Sequence, residues 1–94
     1  MPYVSQETRR EFEPFLEPLL EKAAGMGPGD LNYLITRLVK AYIQEAPEPN
    51  YVRYNAAVGV LECAKLELYR RMVAPYEDQK CAENGDVYLD GGGI

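Results

Sequence analysis

In the stretch "LYRRMVAPY" (residues 68–76), two arginines stand between Tyr69 and Tyr76. Guanidinium groups fork onto phosphate oxygens, and tyrosine rings can stack on bases. Tyr69, Arg70, Arg71 and Tyr76 are therefore candidates for holding an anionic, nucleotide-type small molecule. Just upstream, Glu67 precedes Arg70 and Arg71 by three and four residues, and Glu62 precedes Lys65 by three. Those are the spacings at which helical side chains meet. Facing solvent, each pair contributes only about 0.2–1 kcal/mol. Partly buried, Glu62, Lys65 and Glu67 beside Val60 and Cys63 would instead form a polar network at an interface. Burying charge is costly unless it is partnered, so such a network would set orientation more than stability.

Other chemistry is thin. The chain has no histidine, so the usual base at neutral pH is missing. "GPGD" (residues 27–30) lacks the lysine and the spacing of a phosphate loop. Glu62 and Glu67 lie about 140° apart around a helix and cannot share a metal on one face. Glu77 and Asp78 more simply serve a helix N-terminus. A metal-assisted enzyme with an acidic site at Glu62 or Glu77 remains an alternative, but no residue is assigned a catalytic or metal-binding role and no cofactor is expected. Cys63 and Cys81, without histidine, make no zinc pattern. Cys63 reads as a small core residue.

The elements that would position these groups are helical throughout. Ser5 suits an N-cap. Phe12, Phe15, Leu16, Leu19, Leu20 and Ala23 follow with amphipathic helical spacing. Pro14 and Pro18 interrupt that pattern, and the economical solution is a short turn over residues 5–11 and a fresh helix from Pro14. "GMGPGD" breaks the chain, and Asp30 then caps a second helix. Its stripe is Leu31, Leu34, Ile35, Leu38, Val39, Tyr42 and Ile43. "APEPN" ends it, and Asn50 caps a third helix over residues 51–73. Tyr54, Ala57, Leu61, Ala64, Leu68 and Met72 share one stripe there, while Ala56, Val60 and Cys63 point elsewhere and Val58 and Leu66 elsewhere again. A helix apolar around most of its circumference is buried on most sides. Pro75 ends or kinks it and opens a fourth short helix that stops at Gly85. "VYL" (residues 87–89) can pair as a strand or lie across a partner. The expected fold is all-α, a small bundle of three to four helices with a long central third helix, oligomeric, with one domain over residues 1–89 and a flexible tail at 90–94.

Charge narrows the partners. The net charge is −5, which lacks the cationic field of non-specific nucleic-acid binding and is too weak for a DNA mimic. Residues 51–74 reverse the balance, with Arg53, Lys65, Arg70 and Arg71 against Glu62 and Glu67. No run approaches a membrane span, and "MPYVSQETRREF" has no apolar leader segment. A cytoplasmic setting with free thiols is expected.

"GVLECAKLELYRRMVAPYEDQKCAENGDVY" (residues 59–88), "GDLNYLITRL" (29–38) and the opening "MPY" resemble an uncharacterised family of small prokaryotic and phage proteins, a domain of unknown function. The resemblance implies a cytoplasmic protein of prokaryotic or phage origin and carries no catalytic residues. The residues themselves point to a non-enzymatic protein that self-associates through its third helix and binds a protein partner. "DGGGI" lies outside the family pattern. Deleting residues 90–94 should leave the melting temperature nearly unchanged, and a large fall would show that this segment docks.

Overall fold

Thr8 donates its backbone N–H to Ser5 Oγ at 3.1 Å, and this cap starts the first helix. In the computed structural model, which describes residues 1–45 and 50–89, every regular element among the described residues is helical. They are α1 (Gln6–Ala23), α2 (Pro28–Ile43), α3 (Tyr51–Leu68), a π turn (Tyr69–Val73) and α4 (Ala74–Asn84). The chain groups into two units, Met1–Val60 and Leu61–Ile94, and each is described by itself.

In the first unit, α1 is one uninterrupted helix with Pro14 and Pro18 inside it. The expected break at Pro14 is therefore absent. Each proline removes one backbone hydrogen bond, but both fall on the face roughly opposite the Phe12–Phe15–Leu19 stripe. No residue of α1 is buried, so the carbonyls left without a helical partner stay open to water. A helix bends most easily with its solvent side convex, where its bonds lengthen anyway.

At the start of α2, Gly27 rather than Asp30 is the cap, and Pro28 occupies the first turn. Asp30 acts from inside the helix, accepting the Gly27 N–H at 3.2 Å. The junction to α3 is held by Arg53. Its backbone N–H donates to Asn50 Oδ1 at 3.1 Å, as the expected cap requires. Its guanidinium lies 4.3 Å from the centre of the Tyr42 ring and donates to the Tyr42 carbonyl at 3.4 Å. A cation at the carbonyl end of α2 also meets the negative end of the helix dipole. Most of the "APEPN" break, residues 46–49, lies outside the described residues.

In the second unit, Pro75 does not end the helical run. The turn before it widens instead: Ala74 donates its N–H to the carbonyl of Tyr69, five residues back. In an ordinary α-helix the proline ring would press on the carbonyl four residues earlier. A π turn inserts one residue and re-routes the bonding, so α4 follows the π turn directly. Gly85 closes α4 with φ at 100°, a conformation that favours glycine, and its N–H returns to Cys81 O at 2.9 Å. "VYL" forms a bend rather than a strand. The tail at 90–94 lies outside the described residues.

Very little of this is covered. Among the described residues only Ala57 is buried, at 4% exposure. Leu61, placed by spacing at the middle of the α3 stripe, is 41% exposed, and Phe15 on α1 is 77% exposed. Apolar residues lie all around α3 with no favoured side, as its sequence implies.

Because Pro14 and Pro18 occupy an exposed face, replacing either with alanine should strengthen α1. Proline costs up to about 3 kcal/mol relative to alanine inside a helix. Circular dichroism should show equal or greater helicity and a higher melting temperature. A fall in either would show that the prolines impose a bend the fold requires.

Candidate functional site

Two turns of α-helix take about 7 residues. Tyr69 and Glu77 are eight apart, so in a regular helix they would point in different directions. The extra residue of the π turn corrects the difference and brings Glu77 above Tyr69 on one face. The Tyr69 hydroxyl donates to Glu77 Oε1 in a short hydrogen bond. This bond, together with partial desolvation and the neighbouring carboxylate charge, raises the Tyr69 pKa above the ordinary tyrosine value.

Around this pair opens a cleft of about 760 Å³, lined among others by Asp78, Lys80, Cys81, Asp86 and Tyr88. That volume falls within the range of small-molecule sites. Asp86 turns back on its own backbone, accepting the Tyr88 N–H at 2.7 Å. The Cys81 thiol is also pushed up, first by desolvation, then by the Asp86 and Asp78 charges and a hydrogen bond to Asp86. A raised pKa keeps the thiol protonated, and a thiol is a poor nucleophile compared with a thiolate. The cleft presents Glu77, Asp78 and Asp86 against Lys80, so its electrostatics favour a cation over an anion. No three His, Cys, Asp or Glu side chains among the described residues converge as a metal site would require.

Of the four residues chosen for anion capture, only Tyr69 lines the cleft. Arg70 is held by Glu67 at 2.6 Å, and Arg71 is exposed on the π turn. Tyr76 is exposed, with the Lys80 ammonium 5.7 Å from its ring centre. Lys65 pairs with Glu62 at 2.9 Å, both largely in solvent, while Glu67 is half-buried. Val60 and Cys63 are exposed. The i, i+3 pairs thus form as spacing predicts. Glu77, Cys81 and Asp86 were not recognised as one cluster, because Asp86 comes back beside α4 only through the Gly85 turn, and Tyr69 joins them across the inserted residue. The usable signal was Pro75 inside an otherwise continuous helical pattern.

A family model matches residues 1–87. The chain belongs to the family described as Domain of unknown function (DUF6899). No curated protein matches the chain, and neither does any solved structure. The DUF6899 match takes in α1 to α4 and most of the cleft; Tyr88 and Leu89 of its rim lie beyond it. No helix of the described residues is long and apolar enough to cross a membrane.

The Tyr69–Glu77 bond has a pH signature. A tyrosine pKa raised by folding contributes stability that is fully present below the unfolded value, near 10, and is lost as pH rises through the folded value. Glu77→Gln should return one tyrosine to ordinary titration in the ultraviolet. It should also flatten the decline in melting temperature above about pH 10. An unchanged titration would show that the two side chains do not meet in solution.

Proposed function

We propose that this chain is a non-enzymatic helical binding protein that self-associates through α3 and acts by modulating a protein partner. One observation carries the reading: among the described residues only Ala57 is buried, while large apolar side chains such as Phe15, Val58, Leu66 and Met72 are each more than half exposed. An obligate homodimer removes about 1,000–2,500 Å² from each chain. Covering 1,000 Å² of apolar surface contributes about 25 kcal/mol gross. That exceeds the roughly 4–15 kcal/mol of freedom lost on association.

The Glu62–Lys65 and Glu67–Arg70 pairs give such an interface a polar rim that can fix its register. Cys63 and Cys81 are free and exposed, which suits a reducing cytoplasm. The resemblance of residues 59–88 and 29–38 to small prokaryotic and phage proteins favours a phage or prokaryotic setting, in which a chain of this size would bind and modulate a host protein.

Light scattering of the purified chain should return the mass of a multimer. Leu61→Asp provides the sharper measurement. In a lone chain Leu61 is 41% exposed, so a carboxylate there stays hydrated and is cheap. In an assembly it is covered, and the unpaired charge becomes expensive. The variant should lose the assembly, or lose folding along with it. A wild-type chain that stays monomeric and well folded at high concentration would overturn the reading. A monomer whose melting temperature rises with a nucleotide, with the rise abolished by Arg71→Ala, would transfer the function to anion capture. A rise with Mg²⁺ or Mn²⁺ alone would point to the acidic-site enzyme.

A further inference from the structure

The extra residue before α4 decides which side chain stands over Tyr69. Along a regular helix seven residues complete two turns to within about 20°, and eight overshoot them by about 80°. Continued without the insertion, the run would set Tyr76 over Tyr69 and carry Glu77 to the side. With the insertion, Glu77 takes that place and accepts a hydrogen bond from the Tyr69 hydroxyl. One residue of register thus exchanges an aromatic ring for a carboxylate against Tyr69, beside a cleft that Tyr69 and Glu77 both line.

We propose that Tyr69–Val73 is a two-register element: Pro75 holds the extra residue in, and without that proline α4 turns back by about 100°, so that Tyr76 rather than Glu77 meets Tyr69. Three observations carry this. The π turn itself, Tyr-Arg-Arg-Met-Val, contains no glycine or proline, and arginine and methionine are good helix formers, so its widening is imposed from outside. Pro75 imposes it, because in the narrow register its ring would press on the Arg71 carbonyl; in the wide one the Ala74 N–H goes back to Tyr69 O. Finally, α4 can rotate as a unit. Its Lys80–Glu83 and Gln79–Glu83 bonds and the Gly85 N–H bond to Cys81 O all close within it or at its end. No residue of the π turn or of α4 is buried, so the rotation disrupts no packed core there. The Tyr69–Glu77 bond crosses the turn and is a second hold on the wide register. An occupant of the cleft that prefers one of the two side chains over Tyr69 shifts the register by the amount of that preference.

Tyrosine labelled with carbon-13 at the hydroxyl-bearing ring carbon allows Tyr69 to be titrated by NMR, with Tyr69→Phe assigning its signal. In the wild type Tyr69 should titrate above the ordinary tyrosine value, near 10, because Glu77 holds its proton. Pro75→Ala leaves both partners in the chain, yet Tyr69 should return to the ordinary value while the helical circular dichroism signal equals or exceeds that of the wild type. Deleting Arg71 from the Pro75→Ala chain shortens the spacing from Tyr69 to Glu77 to seven residues. A regular helix then sets the pair together again, and the raised titration should come back. A Tyr69 that stays raised in Pro75→Ala, or that falls only as the helical signal is lost, would overturn the role given to the proline. A deletion variant whose Tyr69 stays ordinary would overturn the two registers, and a wild type with an ordinary Tyr69 would overturn the pairing on which they rest.

Discussion

An α-helix satisfies its own backbone hydrogen bonds, but it cannot shelter the side chains it projects. Those on α3 point in every direction and are largely apolar, so water is a poor neighbour on all sides. Apolar surface in water costs about 25 cal/mol for each Å², and only Ala57 escapes it among the described residues. The amphipathic α1 and α2 each need a single contact. Helix α3 needs several, and this demand underlies the association proposed for the chain.

Prolines in this chain are accommodated in two ways, and the difference has chemical consequences. In α1, Pro14 and Pro18 sit opposite the apolar stripe, and the backbone groups they leave unpaired face solvent on an exposed helix. Before Pro75 the helix takes in one extra residue, with Ala74 bonded to Tyr69 O. The first solution leaves the helical register intact. The second shifts it by one residue, or about 100° of rotation, and that shift sets Glu77 over Tyr69, which lines the cleft beside α4.

The cleft's chemistry is conservative. Both Tyr69 and Cys81 have their pKa values raised, so each keeps its proton near neutral pH and neither is primed as a nucleophile or base. With Glu77, Asp78 and Asp86 along its lining, the cleft repels the anions that Arg70 and Arg71 would attract. The arginines belong with the helical ion pairs of α3 and the π turn, where they make the middle of an acidic chain basic.

What depends only on neighbours along the chain was legible in the sequence. Helical content, the caps at Ser5 and Asn50, the Gly85 terminator and the Glu62–Lys65 and Glu67–Arg70 pairs all arise within a few residues. Side-chain spacing and turn chemistry suffice to specify them. The continuity of α1 was not legible, because proline's cost depends on which face it occupies and whether that face is wet. Nor was the Tyr69–Glu77 pair, because a π turn changes the arithmetic of the helix and no residue announces it except the proline it accommodates. The sequence by itself determined that α3 would carry apolar groups on every side. Only the tertiary structure decided how far each is covered: among the described residues Ala57 alone is buried, and burial depends on which elements come near one another rather than on spacing along the chain.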